Sequence, residues 1–147
     1  MNYTLPYFLY PVIAFAIAQG TKFFLKTRRR GHLSWRDIFA YSDMPSGHTA
    51  TVTSLLTIVY LKLGITSVEF ALALVFTAIV ITDAIGLRNY LGAHGQALNK
   101  IVGDLDDDNV LESHYPKQLE RIGHTPLQVL MGAIIGVLVA LAGYFWF

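Results

Sequence analysis

One hundred and forty-seven residues are enough for one domain, and 54% of them are apolar against only 14% charged, which excludes an ordinary soluble fold. The chain has no cysteine, so neither a disulfide framework nor a thiolate metal site is available. A net charge of +1 says little by its size, and no nucleic-acid partner is expected.

Four stretches are long enough to cross a bilayer, which takes roughly 20 apolar residues each. They cover about 3–25, 46–65, 68–87 and 127–147. The first runs into Lys22, Lys26, Arg28, Arg29 and Arg30. Ala16-Ile17-Ala18 resembles a signal-peptide cleavage site, but the basic residues follow the apolar run instead of preceding it, the reverse of what a signal peptide requires. Lys22, Lys26 and Arg29 recur at spacings of four and three, so a continuous first helix carries them as one basic stripe. The link 26–45 is basic, with Trp35 and Phe39 as interfacial anchors.

The second span opens with Asp43-Met44-Pro45-Ser46-Gly47-His48, with Pro45 where a first helical turn tolerates it. A tight turn over 64–67 leads to the third span, which carries Asp83 and closes at Arg88. The segment 88–126 is long and mixed in charge. Within it 89–102 reads as a short amphipathic helix on the membrane, with Gly92 and Gly95 counting against that reading. The acidic run from Asp104 to Asn109 lacks the glycine of a calcium loop and has Tyr115 where the closing glutamate belongs, so it is expected to be a solvated loop with no metal. The fourth span opens with Gly123-His124-Thr125-Pro126, with Thr125 as N-cap and Pro126 as first helical residue. It holds no charge, so it has no face to wet.

Ten of the eleven basic residues fall on one side of these spans, and the positive-inside rule makes that side cytoplasmic. The chain is therefore expected as a multi-pass protein of the inner (plasma) membrane with both termini outside. Spans two and four then start at the cytoplasmic face, each with a histidine beside unpaired N–H groups and a positive dipole end. Lys22, Arg29 and Arg88 end at the same face. Charge and helix direction alone thus point to a phosphate site.

Pro45-Ser46-Gly47-His48 matches the central motif of the type 2 phosphatidic acid phosphatase superfamily, which includes the vanadium haloperoxidases. Lys22 and Arg29 fit the spacing of its first motif, K-x6-R-P, with Arg30 in place of the proline. In its third motif, S-R-x5-H-x3-D, His124 matches the histidine and Arg88 the arginine, although 35 residues stand between them instead of five. Over nearly its full length the chain resembles the divergent, small membrane branch of that superfamily. There "D-A-x-G-v-R" and "G-H-T-P-x-E-V" recur, and here Asp83-Ala84-Ile85-Gly86-Leu87-Arg88 and Gly123-His124-Thr125-Pro126-Leu127-Gln128-Val129 stand in their places.

The resemblance implies an all-α integral membrane antiparallel four-helix bundle, a reduced core of the superfamily in a single domain over 1–147. It implies metal-free phosphoryl transfer through a phosphohistidine, with no cofactor. His124 is then the nucleophile and His48 the general acid. Lys22, Arg29 and Arg88 hold the non-bridging oxygens, and Ser46 with the Gly47 N–H completes the cradle. Gln128 stands where the superfamily has a carboxylate that orients the nucleophile; it can orient a ring but adds no charge. Asp83, about a turn inside the third span, is expected to supply that charge. The function expected is hydrolysis of a lipid phosphomonoester or diphosphate, of phosphatidylglycerophosphate or phosphatidic acid type. The alternatives are an undecaprenyl diphosphate phosphatase and an inactive lipid-phosphate-binding or scaffold protein. Vanadate-dependent halide oxidation would use the same cradle, but gains nothing from burial in lipid. Membrane lipids are expected around the bundle, and a homodimer is expected to cover its thin wall.

Overall fold

The computed structural model describes residues 6–30, 43–105 and 115–146, with the side chains of Arg29 and Arg30 outside that description. Five helices are described: α1 (Leu9–Arg30), α2 (Gly47–Leu63), α3 (Val68–Ile85), α4 (Leu87–Leu105) and α5 (Pro126–Trp146). Among the described residues there is no strand, as an all-α bundle requires. The stretches 68–105 and 126–146 are long and apolar enough to cross a bilayer.

α2 is the centre of the bundle, packed against α1, α3 and α5. On α1, Tyr10, Ala14, Ala18 and Lys22 are all buried and lie four residues apart, so they form one stripe. The two alanines meet Ala50 of α2, with Ile135 and Val139 of α5 beside them. Tyr10 meets Ile58 and Ala140 at the other end. Small residues at a helix contact let backbones approach, which is how helices associate in lipid. The same holds on α5, where Gly132 and Gly136 press directly on Ser46 O and Ala50 O of α2.

α2 also carries many hydroxyls, and three of them return to its own carbonyls. Thr51 donates to Gly47 O at 2.9 Å, Thr53 to Thr49 O at 2.7 Å and Thr57 to Thr53 O at 2.7 Å. In a hydrocarbon surround each such group has to be satisfied internally. Thr77 of α3 donates to Val52 O at 3.2 Å and ties α3 to α2. The rest of α3 is largely exposed leucine, valine, isoleucine and phenylalanine, which suits a lipid-facing helix. Gly64, with φ of 80°, closes the turn between α2 and α3 in a conformation that favours glycine.

Two sequence expectations change. Pro45 lies outside the first turn of its helix, because α2 starts at Gly47 with Ser46 as its cap. The amphipathic segment is helical over Leu87–Leu105, and its glycines strengthen the packing where they were expected to weaken the helix. The strap 115–125 runs back along α4, and its carbonyls Leu119 O and Glu120 O lie 2.6 and 2.5 Å from where side chains at Gly95 and Gly92 would begin. Asn99 fastens the strap by accepting from Gln118 N at 2.8 Å and donating to Gln118 O at 2.9 Å. The chain thus leaves the membrane end of α3 and comes back to it. Most of the acidic run, 106–109, lies outside the described residues. Among the described residues no group of three His, Asp or Glu side chains is placed to hold a metal.

Candidate active site

Two helix starts and two helix ends meet at one end of the bundle. His48 sits in the first turn of α2 and is exposed. His124 immediately precedes the cap of α5 and is only 3% exposed. Their ring centroids are 6.3 Å apart and the rings cross at 78°. The residues that bring them together are far apart in the chain, and each is held by its own helix cap. For α2, Ser46 Oγ accepts from Thr49 N at 3.4 Å and from Thr49 Oγ1 at 3.0 Å. For α5, Thr125 Oγ1 accepts from Gln128 N at 3.3 Å while Gln128 Oε1 accepts from Thr125 N at 2.8 Å, a reciprocal capping box. The two starts are joined where Ser46 N donates to Gln128 O at 3.0 Å.

Lys22 completes the buried stripe of α1 and is 5% exposed. Its charge reaches His124, as do those of His48 and Arg88. Arg88, at the start of α4, pairs its Nε with Asp83 Oδ2 at 2.6 Å. Asp43 stands at the mouth of the Pro-Ser-Gly-His turn, 2.6 Å from Lys26 Nζ. The first-turn N–H groups of Gly47 and His48 have no partner inside α2. Cations and helix N–H groups therefore surround the two imidazoles, which is an arrangement for an anion.

His124 is electrically distinctive. Burial first, then the positive charges of Lys22, His48 and Arg88, push its imidazole down to about 4 from the ordinary 6.5, with Asp43 opposing. The ring is therefore neutral near pH 7, as a nucleophile must be. Both of its nitrogens are buried, and among the described residues neither has a hydrogen-bond partner. Buried polar atoms are nearly always paired, and unpaired, electrostatically perturbed groups of this kind cluster at functional sites. In this conformation the nitrogens are closed to solvent, and substrate has to shift neighbouring side chains to reach them.

Three expected roles come out differently in this conformation, each for a physical reason. Gln128 does not orient His124, because its carbonyl is engaged by the α5 cap. Asp83 is engaged by Arg88, and the carboxylate whose charge acts on His124 is Asp43. Ser46 is fully buried and its hydroxyl serves the α2 cap. Gly47 keeps its expected place with its N–H in the first turn of α2, and its lack of a side chain also lets α1 approach: a side chain there would start 2.9 Å from Gln19 Nε2 and 3.1 Å from the Phe15 ring. The side chain of Arg29 lies outside the described residues. Sequence reasoning had signals for two of these, since Thr125-x-x-Gln128 is itself a capping-box pattern and Asp83 and Arg88 are five apart across a helix junction.

Across residues 4–139 the chain matches the family described as the Divergent PAP2 family. The chain belongs to that family. It is also similar to a protein of Bacillus subtilis (strain 168) described as the uncharacterized membrane protein YuiD, at 32% identity over 124 residues and 78% of each chain. No solved structure matches it. A helical membrane protein of a phosphatase-related family is thus the frame in which the site is to be read.

Proposed function

We propose that this chain is a metal-independent membrane lipid phosphatase whose nucleophile is His124. The observation that carries the reading is the edge-on pair of imidazoles, 6.3 Å apart between centroids, with buried Lys22 and Arg88 both near enough for their charges to act on His124. Attack needs reacting atoms about 3–3.5 Å apart and an acid about 2.6–3.2 Å from the leaving oxygen, so the two rings have to part from their present contact to admit a phosphoryl group between them. In the first step a His124 nitrogen bonds to phosphorus and the ester P–O bond breaks, with protonated His48 giving its proton to the departing oxygen. In the second, His48 takes a proton from water, the water oxygen bonds to phosphorus, and the P–N bond breaks to release inorganic phosphate. Lys22 and Arg88 neutralise the non-bridging oxygens throughout.

The orientation belongs to the same proposal. The basic excess supports a site on the cytoplasmic face of the plasma membrane with both termini outside. That suits phosphatidic acid or phosphatidylglycerophosphate better than undecaprenyl diphosphate on the outer leaflet. Single cysteines at Ser67 and Lys117 test it. Labelling of position 67 alone from outside intact cells supports the assignment, and labelling of 117 overturns it.

Phosphate release decides the activity. The full chain in mild detergent, with chelator present, is expected to release phosphate from one of phosphatidic acid, phosphatidylglycerophosphate or undecaprenyl diphosphate. The His124→Ala variant is expected to release none. Equal release by both would refute the reading. A second reading, a lipid-phosphate-binding protein without turnover, is favoured by one feature, the closure of both His124 nitrogens to solvent. It predicts vesicle binding that depends on lipid phosphate, without release.

A further inference from the structure

The ring of His124 has no hydrogen-bond partner among the described residues, yet a nucleophile has to be aimed. Its backbone, in contrast, is held on both sides. The N–H of His124 donates to Ala84 O at 2.9 Å, and its C=O accepts from Asn89 Nδ2 at 3.2 Å. Both partners flank the junction of α3 and α4. Gly86 there has φ of −97° and ψ of −86°, away from helical values, so the carbonyls just before it are available to groups outside the helix. Ala84 O accepts from the His124 N–H, and Ile85 O accepts from the same Asn89 amide that holds His124 O. Gly123 lies against Asn89, whose backbone N is 2.7 Å from where a side chain at Gly123 would begin.

We infer that Asn89 is a positioning residue for His124: its amide clasps the backbone of the nucleophile to the α3–α4 break and so sets where the imidazole points. This rests on the reading of His124 as nucleophile. The strap 115–125 serves the same end from further away, since Asn99, Gly95 and Gly92 lead it along α4 toward Asn89. Arg88 is the neighbour of Asn89 at the start of α4, so the same seat keeps the nucleophile in register with a cation of the site. Asn89 is itself exposed and contributes little to the buried core, which separates positioning from folding.

The experiment compares wild type, Asn89→Leu and Gly123→Ala as full chains in detergent. Asn89→Leu keeps the bulk of the side chain but removes both N–H donors, and Gly123→Ala wedges the same contact open from the other side. Gln96→Ala, also exposed on α4, is the control and is expected to match wild type. For both test variants kcat is expected to fall by roughly tenfold to a hundredfold, the usual consequence of a small misplacement at a reacting centre, with KM unchanged. The thermal midpoint is expected to stay unchanged in Asn89→Leu and to fall in Gly123→Ala, whose methyl group would press on the Asn89 backbone. The ring nitrogen resonances of His124 are expected to move while those of His48 stay. Wild-type kcat with unmoved resonances would overturn the inference, and so would a loss of kcat in Asn89→Leu in step with loss of thermal stability. If wild type hydrolyses no lipid phosphate, the proposed function fails; the resonances then decide the seat alone, displaced signals sustaining it and unmoved signals overturning it.

Discussion

Acid should unsettle this protein through one ring. In the folded chain His124 is held down to about 4, whereas its ordinary value is 6.5. Above pH 6.5 the ring is neutral in both folded and unfolded chains, and the full stability is present. Between 6.5 and 4 the unfolded chain binds a proton that the folded chain refuses, so stability falls as pH falls. Below about 4 both states are protonated and the loss is complete. A gap of that width corresponds to about 3 kcal/mol, at about 1.4 kcal/mol for each tenfold change in proton affinity. The assay is thermal unfolding in detergent from pH 7.5 to 4, on wild type and on His124→Gln, which removes this ring but leaves every carboxylate. Wild type is expected to lose about 3 kcal/mol more than the variant over that range. Ring nitrogen resonances should place the titration of His124 well below 6.5 in the free protein. Saturating inorganic phosphate should move it upward, since an added anion favours the charged imidazole. Equal pH dependence in the two proteins, or a free-protein titration near 6.5, would refute both the burial argument and the cationic surround.

Three further outcomes are expected. Lys22→Met should lower kcat/KM by roughly a hundredfold to a thousandfold, the range for losing one preorganised charge contact, and should weaken inhibition by vanadate; unchanged steady-state kinetics would remove Lys22 from the site. Gly136→Ala, whose methyl group would collide with Ala50 O and Thr53 Oγ1, should cost about 1–3 kcal/mol of stability by overpacking. Gly103→Ala, with open space around it, should stabilise by about 0.5–1 kcal/mol, and a reversed order in thermal melts would refute the packing of α5 on α2. The bundle is proposed to pair with a second copy, so light scattering in mild detergent should return twice the 16.4 kDa chain mass, and a monodisperse monomer would refute it.

The parts of this architecture that could be read from the sequence are those set by local physics. A bilayer demands length and greasiness, so 127–147 stood out as a helix, and α5 runs Pro126–Trp146. Thr125 announces a helix start by side-chain chemistry alone and is a cap, whereas Ser46, expected in the phosphate cradle, proves to be the cap of α2. Helix direction then brings His48 and His124 to one end, without any knowledge of packing. The parts that could not be read depend on a partner distant in sequence. Gly92 and Gly95 look like helix breakers until Glu120 and Leu119 are laid on them. Asn89 looks like a surface residue until His124 returns to it from 35 positions away. Asp43 offers no local sign that its charge will act on His124 where Asp83 was expected to.

These distant partners also account for the feature of the chain that sits least easily with its superfamily. An arginine and a histidine that should be five residues apart have 35 between them here. The insertion does not separate the two in space, because it is a closed excursion: α4 carries the chain out from Arg88, and the strap carries it back along the same helix to His124. Closure of that kind needs a track on α4 whose residues face the returning strand, and Asn89, Gly92, Gly95 and Asn99 recur at spacings of three, three and four along one side of the helix. The cost of ordering a long loop grows only slowly with its length, so a longer route between the same two points is tolerated if its ends are fastened. Ala84 O and Asn89 fasten the returning end beside the outgoing one. The spacing of the superfamily motif is thus a property of the shortest path between two site residues, and this chain reaches the same neighbourhood by a longer one.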